Sequence, residues 1–145
     1  MTASLYERDF YAWANEQAAL LRAGKLAAAD TEHIAEEIES MGRGEKRELV
    51  SRLTVLLLHL LKWQFQPTHR GTSWEVSIAN SRDQFADHLA DNPSLKARLP
   101  EATESAYRYA RREASAETGL RATAFPASCP YSFGQMMDEG FWPGD

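Results

Sequence analysis

The stretch Glu45–Pro67, EKRELVSRLTVLLLHLLKWQFQP, constrains the fold more than any other part of the chain. Leu49, Leu53, Leu56, Leu60 and Trp63 recur at steps of 4, 3, 4 and 3, the spacing of a helix that packs along a seam. Val50, Val55, Leu57, Leu58, Leu61 and Phe65 add apolar surface on nearly every other side. A helix that is apolar almost all round is central and buried. One narrow polar stripe survives, formed by Glu45, Glu48, Arg52, His59, Lys62 and Gln66 and interrupted by Val55.

The segments around it also read as helices. Ser4 and Glu7 have the spacing of a capping box for a helix from Leu5 to Arg22, and Gly24 suits its C-terminal cap. Phe10, Trp13, Ala14, Leu20 and Leu21 give that helix an apolar face broken only by Gln17. Asp30 is an apt N-cap for a second helix ending at Met41, with Ile34, Ile38 and Met41 as its core stripe. Met41–Gly44 (MGRG) then reads as a tight turn, which would make this helix and the Glu45–Pro67 helix an antiparallel hairpin. In that register Glu37 lies level with Glu48, and His33 with Arg52.

Beyond Pro67, Thr72 and Glu75 form a second capping-box pattern for a helix to Asp91. Trp74, Ile78, Phe85 and Leu89 are its buried positions, with Arg82 and His88 off that stripe. Asn92-Pro93 opens a short turn to Leu99, and Pro100 starts a longer helix to Glu117 closed by Gly119. Residues 119–145 form an irregular arm whose aromatic residues should pack back on the bundle, with Ser132 and Gln135 capping one short helix. The expected fold is all-α: a single-domain helical bundle over residues 1–145, with about five main helices, a central antiparallel hairpin and a short C-terminal helix.

Composition excludes several function classes. A chain of 145 residues with net charge −5 has a field that disfavours nucleic acid, although a local basic patch stays open. Its one cysteine, Cys129, can form no intramolecular disulfide, and four histidines show no zinc-finger spacing. The start lacks the apolar run of a signal peptide, and no apolar run approaches the roughly 18 residues of a membrane span. The expectation is a cytoplasmic protein with no cofactor and no membrane partner.

Several stretches resemble a known family. DTEHIAEEIESMG (Asp30–Gly42), ELVSRLTVLLLHLLKWQFQP (Glu48–Pro67) and SWEVSIANSR (Ser73–Arg82) look like the bacterial "domain of unknown function 29" family. The opening DFYAWANEQAALLRAG (Asp9–Gly24) and the closing ETGL…FP…CP (Glu117–Pro130) are similar to it as well. The resemblance covers nearly the whole chain and implies an all-helical bacterial protein, with no established activity.

Four constellations could carry chemistry. Asp30, His33 and Glu37 share one side of a helix, facing Glu48 and Arg52 in the hairpin register. Their D-x-x-H-x-x-x-E spacing suits a divalent metal, but a cation at Arg52 competes with one, and a salt-bridge network explains the same residues. Arg52…His59 and Arg82-Asp83…His88 resemble the Arg…His signature of the higher-eukaryote-and-prokaryote nucleotide-binding ribonucleases. There arginine would hold the scissile phosphate while histidine moves a proton. Trp63, Gln66, His69, Arg70 and Trp74 cluster around a basic loop that could cradle an anion, a base or a peptide, or simply seal a helix corner. Arg108, Arg111 and Arg112 lie on one face of a helix and read as a solvated surface or a dock for acidic residues, and Cys129 reads as structural.

The leading reading is a small intracellular binding or interaction protein, with Asp30, His33, Glu37, Glu48, Arg52, Trp63, Arg70 and Trp74 as binding candidates. The alternatives are an endoribonuclease-like bundle using Arg52, His59, Arg82 or His88, or a hydrolase with a metal on Asp30, His33 and Glu37. A protein or small-molecule partner, or a homodimer, remains open.

Overall fold

A computed structural model describes residues 3–144. Among these residues every regular element is helical: α1 (Leu5–Arg8), α2 (Phe10–Arg22), α3 (Thr31–Phe65), α4 (Thr72–Asp91), α5 (Leu99–Thr118) and α6 (Phe133–Met137), joined by short 3-10 turns. The chain forms two compact units, which divide between Gly44 and Glu45.

The expected hairpin is not there. α3 runs unbroken for 35 residues through Gly42 and Gly44. A reversal at Met41–Gly44 would need a left-handed residue, and the glycines that have positive φ are Gly24, Gly119 and Gly144. Each glycine inside a helix costs only about 1 kcal/mol relative to alanine, and Glu45, Lys46, Arg47 and Glu48 are all good helix formers. The register that set Glu37 beside Glu48 and His33 beside Arg52 falls with the hairpin.

In the unit ending at Gly44, the single helix expected from Leu5 to Arg22 is broken at Asp9, whose backbone leaves the helical region at φ −152° and ψ 86°. The Asp9 carboxylate accepts from the Ala12 N–H at 3.0 Å and caps α2, whereas the Ser4 side chain makes no cap bond. α2 ends in a Schellman motif: the Lys25 N–H donates to Leu20 O at 2.9 Å and the Gly24 N–H to Leu21 O at 3.0 Å. Trp13 and Gln17 are the buried residues of α2. Phe10, expected in the core, is 49% exposed, and Ile38 and Met41 are also exposed rather than core positions.

In the unit beginning at Glu45, the leucine seam is the core. Leu49, Leu53, Leu56, Leu57, Leu60 and Leu61 have no exposed surface. They join Ile78, Phe85 and Leu89 of α4, the residues of α5 described next, and Phe125, Tyr131 and Met136 of the arm in one apolar cluster. α5 contributes Ala102, Ala106, Ala110 and Ala114, one small side chain every four residues, so its backbone can lie close against the cluster. α4 is capped by the backbone of Gly71, not by Thr72. Pro100 stands in the first turn of α5, and Gly119, at φ +76°, closes that helix.

The arm is docked. Ser132 and Gln135 form the expected capping box at the start of α6. Arg82 and His88, expected off the buried stripe of α4, are both buried. The arm explains Arg82: its Nε donates to Met136 O at 3.1 Å, and its Nη2 to Gln135 O at 3.3 Å and Phe141 O at 2.7 Å. A guanidinium thus satisfies carbonyls at the C-terminal end of α6, where a cation is favoured.

Candidate functional site

Asp30, His33 and Glu37 do share one side of α3, and each is engaged by the rest of its unit. Asp30 stands immediately before α3, and its carbonyl accepts the Ile34 N–H at 3.0 Å. Its carboxylate Oδ2 accepts from His33 Nδ1 at 2.7 Å and from the Trp13 indole N–H at 3.1 Å. Its backbone N–H donates to Gln17 Oε1 at 2.7 Å. The Tyr6 hydroxyl donates to Glu37, and the Tyr6 ring stacks on His33 with centroids 4.0 Å apart. α1 and α2 are therefore pinned onto the first turns of α3 by two carboxylates and an aromatic stack.

Electrostatics follow this geometry. The hydrogen bond to His33 holds the Asp30 carboxyl below its usual value, and the same bond raises His33. The hydrogen bond to Glu37 pushes Tyr6 up to about 12. Because an ionised carboxylate can only accept, His33 carries a proton on Nδ1. Among the described residues, no three His, Cys, Asp or Glu side chains converge where a metal ion could be held.

Beside this cluster lies an unpartnered strip. Ile34 is half-buried, while Ile38 and Met41 are 58% and 64% exposed. At about 100° per residue the three side chains share one side of α3, bordered by Asp30 and Glu37. Glu32, Glu36 and Glu39 are exposed round the back of the same helix. A helix is about 10 Å across, so those charges lie within about one Debye length of the strip. Asp30–Ser40 holds five carboxylates and no lysine or arginine. The sequence shows this charge run, but the periodicity of Ile34, Ile38 and Met41 implied a core and concealed the exposed apolar side chains.

The other candidates lie in the second unit. Arg52 pairs with Glu48 at 2.8 Å, and its Nη1 donates to Gln84 O at 3.2 Å. Glu48 is one turn earlier on the same helix, so this is a contact along α3. His59, half-buried, is lowered first by burial and then by Lys62. His88 donates from Nε2 to Glu45 O at 2.8 Å. Arg82 is lowered by burial, against the opposing influence of Asp138 and Glu139.

Trp63 and Trp74 have different neighbours. Trp63 is buried against Trp142, ring centroids 4.7 Å apart, and the Arg70 guanidinium lies over it at 5.1 Å. Arg70 also donates to Trp63 O at 2.8 Å and to Pro143 O at 3.2 Å, which ties the corner to the arm. Trp74 has the Lys62 ammonium over its ring at 5.0 Å and His69 stacked at 6.1 Å.

Among the described residues, no helix is long and apolar enough to cross a membrane. No curated protein and no solved structure shows significant similarity to the chain. Residues 5–142, from the first turn of α1 to Trp142 in the arm, match the family described as "Domain of unknown function DUF29", and the chain belongs to that family.

Proposed function

We propose that this chain is a small intracellular binding protein without catalysis, and that the strip on the first half of α3 takes a basic amphipathic segment of a protein partner. The observation that carries the reading is the exposure of Ile38 and Met41, 58% and 64%, beside a run of five carboxylates, of which Glu39 pairs with Arg43 at 3.9 Å and Asp30 with His33. Apolar anchors spaced four and three residues apart are how one helix seats another, and the surrounding charge selects a lysine- or arginine-rich partner. Self-pairing of this strip would bring like charges together, which disfavours a second copy as its occupant. The pinned Tyr6, Trp13, Asp30, His33 and Glu37 give the strip a rigid support.

The nuclease alternative is less well supported. Arg82 and His88, its best motif match, are buried and spent on backbone carbonyls. A single cysteine, Cys129, whose thiol burial keeps protonated, suits the reducing cytoplasm of a bacterium.

The test is fluorescence anisotropy on the full chain with a labelled amphipathic helix of leucine and lysine, about 18 residues or five turns long. Micromolar binding that falls about tenfold or more in the Ile38→Ser/Met41→Ser variant, and is absent for a leucine–glutamate peptide, supports the reading. Equal binding of both peptides, or no effect of the double substitution, overturns it. Concentration-dependent dimerisation in sedimentation velocity, abolished by the same substitutions, also overturns it in favour of a second copy.

A further inference from the structure

Within the second unit, an open pocket of about 800 Å³ separates one face of α5 from the loop that leads into the arm. α5 contributes Pro100, Glu104, Tyr107, Arg108, Arg111 and Arg112, residues that recur at helical spacing on a single side. Ala122, Ala127, Ser128 and Cys129 form the opposite wall. The charged side chains of the lining are three arginines and one carboxylate, Glu104, so the pocket is locally cationic in a chain of net charge −5.

Among the described residues, none of Arg108, Arg111 and Arg112 forms an ion pair. Arg111 is half-buried and donates from Nη2 to Phe125 O at 3.4 Å, while its Nε is fully shielded and meets no acceptor on the protein. That shielded Nε is costly but is not itself open to the pocket, so an anion there would meet the terminal guanidinium nitrogens. Arg108 lies over the Tyr109 ring at 5.2 Å and its Nη2 donates to the Tyr109 hydroxyl at 3.5 Å, while Arg112 is exposed. Tyr107 is anchored by its hydroxyl, which donates to Pro126 O at 2.6 Å, so the floor of the pocket is fixed.

We infer that this pocket binds small organic molecules through a phosphate group. Three guanidiniums against one carboxylate balance a dianion better than a monocarboxylate, and their forked donors match phosphate oxygens. The volume exceeds that of a bare phosphate and lies within the range of small-molecule sites, leaving room for an organic part against Pro100, Ala122 and Ala127. The site is separate from the α3 strip and stands or falls without it.

The experiment is isothermal titration of the full chain, at low salt, with adenosine 5′-monophosphate, glucose 6-phosphate, inorganic phosphate, adenosine and succinate. At least one phosphate ester should bind saturably at millimolar concentration or below, and more tightly than inorganic phosphate; adenosine should not bind. Arg111→Gln and Arg112→Gln should each weaken that binding about tenfold or more. Arg112 is exposed, so its substitution spares the fold, and Arg43→Gln, a surface arginine of the first unit, should change nothing. Absence of saturable binding for every phosphate compound overturns the inference. So does binding unchanged in Arg112→Gln, or succinate binding as tightly as the esters. If inorganic phosphate binds as tightly as the esters, the organic part of the inference is wrong.

Discussion

Arg82, in the middle of α4, donates from Nη2 to the carbonyl of Phe141 at 2.7 Å, joining positions 59 residues apart. The same guanidinium reaches Gln135 and Met136 and lies 5.8 Å from the Trp142 ring centroid. One buried cation therefore holds both α6 and the chain beyond it.

Removing that cation should loosen the arm before it affects the rest of the core. Arg82→Gln leaves buried carbonyls short of donors and should cost about 3 kcal/mol in a urea titration. Limited proteolysis should then cut first between Leu120 and Trp142. Loss of stability under about 1 kcal/mol, with an uncut arm, would show that the guanidinium is dispensable.

The continuity of α3 has a direct test in its glycines. A Cβ added at Gly42 or Gly44 would meet nothing within 4 Å. Gly42→Ala and Gly44→Ala should each raise stability by about 0.4–1 kcal/mol, because alanine keeps the helix and narrows the unfolded ensemble. Were the segment a tight reversal with a left-handed residue, the same changes would destabilise the protein.

The leucine seam supports a larger prediction. Leu56 and Leu60 have no exposed surface, so Leu56→Ala or Leu60→Ala should each cost about 2–5 kcal/mol in denaturant titration. A loss under about 1 kcal/mol would mean that the helix is peripheral.

The Asp30–His33 pair predicts a pH window. His33 is raised by its bond to Asp30 and by nearby Glu36 and Glu32, so its contribution is complete below about 6.5 and is lost as pH rises through its elevated folded value. Asp30 is lowered, so its contribution is complete above about 3.9 and is lost as pH falls through its depressed folded value. The pair should therefore stabilise most between roughly pH 4 and 6.5. Imidazole NMR should place the His33 midpoint above that of an exposed histidine, and Asp30→Asn should bring it down. A His33 midpoint unmoved by Asp30→Asn would contradict the pairing.

What the sequence disclosed depended on whether the signal was local. The 49-53-56-60-63 seam was legible because almost every side of that segment is apolar, whichever elements cover it. The capping box at Ser132 was legible because both partners lie within one turn. Gly42 and Gly44 were misread: two glycines flanking Arg43 look like a reversal, while helix continuation depends on the summed propensity of residues 45–48. Arg82 and His88 lay off the stripe of α4 on a helical wheel, yet Arg82 is covered by an arm more than 50 residues away and His88 bonds to Glu45. No periodicity within α4 reports either partner. At Asp30, His33 and Glu37 the shared shoulder was visible, but Tyr6 and Trp13 reach them from other helices. Ile38 and Met41 show the reverse failure, because spacing identifies an apolar face without saying what covers it.

The central claim is that this face of α3 is a binding surface, and amide NMR of the full chain titrated with the leucine–lysine peptide tests it most directly. The account predicts saturable shifts centred on Ile34, Ile38 and Met41, with the α5 amides unmoved. Shifts confined to other residues, or none at saturating peptide, would contradict it.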